Sequence, residues 1–94
     1  MEITVLFEAQ LRHVAGVGRA SVTLADGSSV EDALRTVASQ FGPALSERLV
    51  AADGTAQRSV LIFVNDKPIA YSAVAEQRLN AGDVLLLYPP ISGG

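Results

Sequence analysis

Val84-Leu85-Leu86-Leu87-Tyr88-Pro89-Pro90-Ile91-Ser92-Gly93-Gly94 ends the sequence, and it divides into three parts with different physics. The first five residues form an uninterrupted apolar run, which reads as a buried strand. Two prolines follow. Each lacks an N–H and has a fixed φ, so the sheet ladder stops there, and Tyr88 is held extended by the first of them. Pro-Pro continues as a stiff extended lead. Beyond it the side chains shrink to nothing at Gly93-Gly94. A stiff lead with a bare end suits entry into a narrow slot, because a partner's backbone can close on residues that have no Cβ. The chemistry on offer is the Gly94 carboxylate, which is ionised near neutrality and must be activated before any acyl transfer. Gly-Gly alone reads as an ordinary frayed terminus; the strand and the prolines ahead of it argue for a functional tail at 89–94 on a domain spanning 1–88.

A central apolar strand needs neighbours, and the start of the sequence supplies one. Ile3, Val5, Phe7 and Ala9 alternate with Glu2, Thr4 and Glu8, a half-buried strand in which only Leu6 breaks the polar face. After a predicted loop containing Gly16 and Gly18, Ala20, Val22 and Leu24 alternate with Ser21 and Thr23, giving an antiparallel partner that ends at Asp26-Gly27. A helix comes next. Val30, Ala33, Leu34, Val37, Ala38 and Phe41 form one stripe at helical spacing. Ser29 with Asp32, or Ser28 with Glu31, offers a capping box, and Gly42-Pro43 the stop.

The remaining elements are shorter. Ala44 to Val50 reads as a second helical turn with Leu45 and Leu49 four apart, and Ala51 to Gln57 as an exposed loop. Ser59 to Val64 is β-rich, Asn65-Asp66-Lys67-Pro68 is a turn leading to Ile69, and Leu79 to Asp83 is a turn feeding the last strand. Two early strands, a crossing helix and later strands completing the sheet make an α+β roll of β-grasp (ubiquitin-like) type. Its mixed sheet packs on one main helix, with first and last strands parallel at the centre.

Composition narrows the function. Ninety-four residues make one domain, and a hydrophobic content of 49% excludes a disordered chain. A formal charge of −3 with scattered cations argues against a nucleic-acid surface. No cysteine is present, so disulfides and thiolate metal sites are excluded, and a reducing, cytoplasmic setting fits. The first residues carry Glu2 and alternate, unlike a signal peptide or a membrane span. His13 stands alone, so no metal site is expected. Gly16-x-Gly18 lacks the third glycine of a dinucleotide loop. Glu31 and Asp32 suit the first turn of a helix, and no serine has a His-Asp set beside it. Catalysis by this chain alone is therefore not expected.

Several motifs together resemble the MoaD/ThiS family of ubiquitin-like sulfur carriers, and among them most the small, sulfur-carrying subunit of molybdopterin synthase. They are Ala9-x-Leu11-Arg12, Ser29-Val30-x-Asp32-Ala33-Leu34, Val64-Asn65-Asp66, Leu79-x-x-Gly82-Asp83-Val84 and the terminal Pro89-Pro90-Ile91-Ser92-Gly93-Gly94. The resemblance implies a protein co-substrate with no permanently bound cofactor. A ubiquitin-activating-type adenylyltransferase would use ATP to adenylate the Gly94 carboxylate, and a sulfur donor would convert it to a thiocarboxylate. The tail would then enter the large subunit of a synthase, with Gly93 permitting close approach and Pro89, Pro90, Ile91 and Ser92 as channel contacts and spacing. An apolar patch on the sheet near the tail, including the exposed side of the last strand, would face such partners. Two alternatives stay open. Pro43 to Arg58 exceeds what a minimal thiazole-forming carrier of thiamine biosynthesis needs, while Ser46-Glu47-Arg48-Leu49 and Tyr71-Ser72 are similar to carriers serving cysteine biosynthesis. Ubiquitin-like modifiers share the tail chemistry and end as isopeptides on lysine.

Overall fold

The computed structural model describes residues 1–90; Ile91, Ser92, Gly93 and Gly94, on which part of the tail reading rests, lie outside the described residues. Five strands, β1 (Glu2–Phe7), β2 (Arg19–Thr23), β3 (Leu61–Val64), β4 (Lys67–Ile69) and β5 (Val84–Tyr88), form one sheet in the order β2-β1-β5-β3-β4. β1 and β5 are parallel, Val5 opposite Leu85 and Phe7 opposite Leu87, and every other pairing is antiparallel. Three helices cover one face: α1 (Gln10–Ala15), α2 (Val30–Phe41) and α3 (Pro43–Leu49). This is the expected β-grasp roll with its first and last strands adjacent at the centre.

The core lies between α2 and the inner sheet face. Ile3, Val5 and Phe7 of β1, Val22 of β2, Ile62 and Val64 of β3, and Leu85 and Leu87 of β5 are buried there. They meet Val30, Ala33, Leu34 and Val37 of α2, as the helical stripe required. Phe41, the last stripe residue, is half-buried and meets the Phe7 ring edge-on at 5.3 Å. α3 packs beside α2, burying Leu45 and Leu49 completely. Each such aliphatic side chain contributes about 1.5–3 kcal/mol by leaving water.

Of the two candidate capping boxes, Ser29 with Asp32 forms. Ser29 Oγ accepts from the Asp32 N–H at 3.1 Å, and Asp32 Oδ2 accepts from the Ser29 N–H at 2.9 Å. Ser28 instead donates its hydroxyl to the Ala25 carbonyl. Gly42 at φ 90° ends α2, and Pro43, rather than terminating helical structure, is the first residue of α3.

Four local expectations are corrected. The segment between β1 and β2 is not simply a loop: it contains α1, with Leu11 buried and Gly16 closing it in the left-handed conformation. Six residues without a side-chain cap gave no periodic signal long enough to register. Ala9 is exposed, because β1 ends at Phe7 and the chain turns into α1 at Ala9, at φ 52°. The β-rich run starting at Ser59 yields a strand only from Leu61. The predicted four-residue turn is a two-residue one. Asn65 and Asp66 both have positive φ, 48° and 70°, as the tight hairpin between β3 and β4 demands, so Lys67 and Pro68 already belong to β4. Pro68 is tolerated because β4 is an edge strand.

The Ser29 hydroxyl is buried and caps the longest helix among the described residues, so Ser29→Ala is expected to cost about 1 kcal/mol, a fall in Tm of roughly 4–8 °C read by calorimetry. The Asp32 carboxyl is held below its ordinary range, chiefly by the hydrogen bond from the Ser29 backbone N–H. Because that lowers the folded value beneath the unfolded one, its stabilisation is complete above the ordinary aspartate range and is lost as pH falls through the folded value. Asp32→Asn, which can still accept that bond, is therefore expected to flatten the loss of stability below about pH 4; urea unfolding across pH would read it, and an unchanged acid slope would refute it.

Candidate functional site: the root of the tail and the open sheet face

The described part of the tail leaves a central strand of the sheet. β5 is paired on both sides, and Leu85 and Leu87 are wholly inaccessible. Its start is fixed by a polar clamp. The Asn65 side chain donates to Asp83 Oδ1 at 2.9 Å and accepts from the Val84 N–H at 2.9 Å, while Asp83 Oδ2 accepts from the Asn80 N–H at 2.7 Å. The Val64-Asn65-Asp66 and Gly82-Asp83-Val84 motifs thus meet in one place, where they set the register of the strand that carries the tail.

At the other end of β5, Pro89 is half-buried and Pro90 exposed. They lie between two open grooves. One, of about 580 Å³, is bounded by Glu8, Ala9, Gln10, Arg12, His13 and Tyr88. The other, of about 290 Å³, is bounded by Gln10, Leu11, Glu47, Arg48, Gln57 and Ser59. The Ala9-x-Leu11-Arg12 motif therefore builds the wall beside the tail. Leu11 anchors α1 in the core, and the Arg12 guanidinium crosses Gly18 so closely that a Cβ there would sit 2.6 Å from Arg12 Nε. A side chain at position 18 would displace the Arg12 guanidinium from this path, a close approach the turn reading did not register.

His13 is exposed on the rim of the larger groove. Among the described residues no His, Asp and Glu cluster is placed to hold a metal ion. Glu31 and Asp32 sit at the start of α2, where Arg35 reaches Glu31 Oε1 at 3.0 Å and Asp32 Oδ1 at 3.4 Å, a helix-surface arrangement remote from the tail root.

The outer face of the sheet has no cover among the described residues, yet much of it is apolar. Cross-strand register aligns Leu6, Leu86, Phe63 and Pro68 in one row, and Tyr88 with Leu61 in the next. Leu61 and Tyr88 are 41% and 37% exposed. Tyr88 stands on this outer face, edge-on to Phe63 at 5.9 Å. Leu6, which broke the polar alternation of β1, is explained by the same surface. Sequence reasoning anticipated a patch including β5 but not its members on β1 and β3, which only the strand order brings alongside.

The sequence and the β-grasp body match known proteins over the full chain. The model of the ThiS family aligns with residues 5–94. The chain belongs to that family. It is 30% identical to the molybdopterin synthase sulfur carrier subunit of Chlamydomonas reinhardtii and 28% identical to small archaeal modifier protein 3 of Haloferax volcanii, each alignment covering all of both chains. The crystal structure of SAMP1 from Haloferax volcanii superposes with a TM-score of 0.86 at 30% identity, again over the whole of both chains. The ThiS-family chain is thus a ubiquitin-like protein of the carrier and modifier type. Its relatives are named as a carrier subunit and as modifiers, in agreement with a co-substrate that is not itself a catalyst. No helix among the described residues is long and apolar enough to cross a membrane.

If the outer face is where partners dock, substitutions there should weaken association without touching the core. Leu61→Asp and Tyr88→Ala are each expected to weaken binding to the cognate activating enzyme by about tenfold or more, or ~1.4 kcal/mol. Thermal stability should move by no more than about 0.5 kcal/mol, as for other exposed positions. Calorimetric titration beside thermal melts checks both; unchanged affinity would move the docking surface elsewhere.

Proposed function

We propose that this chain is a cytoplasmic sulfur carrier whose reacting group is the Gly94 carboxylate, serving the synthesis of molybdopterin. The observation that carries the reading is the end-to-end alignment with a molybdopterin synthase sulfur carrier subunit, in a chain whose own sequence finishes Pro-Pro-Ile-Ser-Gly-Gly. A Gly94 carboxylate oxygen attacks the α-phosphorus of ATP on a ubiquitin-activating-type adenylyltransferase, and pyrophosphate leaves. A sulfur donor then displaces AMP from the acyl carbon, leaving a thiocarboxylate. Its sulfur is soft and ionised, a far better nucleophile than the parent carboxylate oxygen. ATP is used by the activating enzyme, and the carrier itself holds no permanent cofactor.

The tail delivers this sulfur to an acceptor in the large subunit of a synthase. Pro89, Pro90, Ile91 and Ser92 set the reach and contact the channel, and Gly93 lets its walls close around the chain. The apolar face from Leu6 to Tyr88 adjoins the tail root, so a partner that swallows the tail meets it at the same time. One chain can serve the activating enzyme and the synthase in turn because both need the same two features.

Similarity to small archaeal modifier protein 3 and to SAMP1 favours a second reading, in which the activated Gly94 is passed to lysine amines of other proteins. Incubation with ATP, the cognate activating enzyme and a sulfur source separates the two. The carrier reading expects an oxygen-to-sulfur exchange in the C-terminal peptide, absent without ATP. It must be localised by fragmentation, since its mass nearly equals that of Met1 sulfoxide. Adducts on target lysines with no such exchange would favour the modifier. Gly94→Ala is expected to abolish transfer while leaving the melting curve unchanged, whereas Leu34→Ala in the core should cost about 2–5 kcal/mol. A Gly94 variant that melts like a core mutant would contradict a tail independent of the fold.

A further inference from the structure

We infer that β2 is a self-pairing edge, through which two copies of this chain join by an antiparallel β2–β2 contact into one continuous sheet. The pairing belongs to the body of the chain and does not depend on the activation of Gly94 proposed above. The sheet has two edges, β2 and β4. β4 is protected against further pairing, since it has only three residues and Pro68 leaves its middle position without a donor. β2 has neither device. Its five residues, Arg19 to Thr23, hold an unbroken register against β1, with no proline and no bulge.

The direction of each β2 backbone group follows from the bonds to β1. The Phe7 N–H donates to the Gly18 carbonyl at 3.0 Å, the Leu24 N–H donates to the Met1 carbonyl at 2.8 Å, and the Met1 ammonium donates to the Leu24 carbonyl at 2.7 Å. Hydrogen-bonded pairs recur at every second residue of an antiparallel ladder, so Gly18, Ala20, Val22 and Leu24 are turned towards β1. The N–H and C=O groups of Arg19, Ser21 and Thr23 are turned outward, and no turn, cap or side chain among the described residues takes them up. A twofold axis through Ser21, perpendicular to the sheet, sets Ser21 opposite Ser21 and Arg19 opposite Thr23 of the second copy. That register uses all the outward groups of both strands, for about six hydrogen bonds, and closes on itself as an isologous pair.

Charge complementarity makes the second copy the occupant. Thr23 is paired with Glu2 of its own chain, so Arg19 of one copy falls in one outer-face row with Thr23 and Glu2 of the other. Arg19 and that Glu2 are two strands, or about 10 Å, apart, a gap their two long side chains span together, and the twofold repeats the contact. Within one chain the two residues stand at opposite ends of the ladder, Glu2 opposite Thr23 and Arg19 opposite Leu6. Neither belongs to an ion pair among the described residues, and the Ser21 hydroxyl, donating to Glu2 Oε1 at 2.6 Å, draws that carboxylate towards the edge. Val17, 42% exposed just ahead of β2, comes towards the Ala25 end of the second strand. A five-residue edge buries less than the roughly 1,200 Å² at which stable interfaces begin, so the pair is reversible and forms at high protein concentration. The tails leave from opposite ends and both apolar faces stay open on one side, so pairing leaves the proposed partner surface free.

Sedimentation equilibrium of the full chain tests this, over about 10 μM to 1 mM, the range of weak affinities. The mass should rise from 9.8 kDa towards twice that value. Over the same range, amide exchange followed by NMR should slow at Arg19, Ser21 and Thr23 and stay unchanged at Ala20 and Val22, an alternation that marks pairing through this edge. Ser21→Pro removes the central outward donor and is expected to abolish the dimer with the melting curve retained. Arg19→Glu should weaken association by about tenfold, and adding Glu2→Arg should restore it; this pair of variants decides the matter if Ser21→Pro does not fold. A 9.8 kDa species at every concentration would overturn the inference. So would a charge swap that fails to restore the dimer, or a dimer that survives Ser21→Pro and dissociates on Leu61→Asp, which would place the contact on the apolar face instead.

Discussion

The pairing of β1 with β5 is the constraint on which the molecule turns. The two strands are parallel, so the connection between them, residues 8–83, must cross the sheet. Within it lies α2, whose apolar stripe covers the inner side chains of both strands. Leu85 and Leu87 have no exposure because β1 and β3 flank them and helices roof them. Remove the helix and the central strand faces water; shift the register by one and Leu86 exchanges faces with Leu87. The Asn65–Asp83 clamp and the Asn65-Asp66 hairpin oppose such a shift from the end where β5 begins.

That constraint also accounts for the open face. β5 reads as a run of unbroken hydrophobicity, but only its inner side chains are fully buried. Leu86 and Tyr88 point outward, and their neighbours Leu6, Phe63 and Leu61 turn a sheet surface that could have been polar into an apolar one. Folding the isolated domain does not require this, since Ser21 and Thr23 occupy the outer face of β2 in the same sheet. The apolar half is therefore the half beside the tail, and the polar half is the edge away from it. A surface graded in this way suits an occupant that arrives together with whatever grips residues 89–94.

Much of this was legible in the sequence because the long elements obey one period each. β1, β2 and α2 have patterns that propensity and burial both support, and Ser29-x-x-Asp32 marked a helix start that the backbone hydrogen bonds reproduce. The parallel centre followed from hydrophobicity, since β5 was too apolar for an edge. What failed was short. α1 has six residues and is held by one buried leucine, and β4 has three residues and a proline, so neither carries a repeat from which to read it. Positive φ at Ala9 is invisible in a residue type that rarely adopts it. The patch was missed in detail for a different reason. Its members come from β1, β3 and β5, which are far apart in sequence and adjacent only through the strand order.

Fold and chemistry are separated within this chain, and the separation is physical. The apolar side chains that hold the domain end at Leu87, while the proposed reacting atom belongs to Gly94. A carrier must be recognised by more than one enzyme and altered covalently between encounters. If the altered group contributed to the core, each charging step would change the stability of the body that the next partner has to bind. Rooting the tail in a central strand and placing the chemistry beyond two prolines avoids that coupling. In the proposed cycle the same body would present the same sheet face whether Gly94 carries oxygen, sulfur or an acyl link.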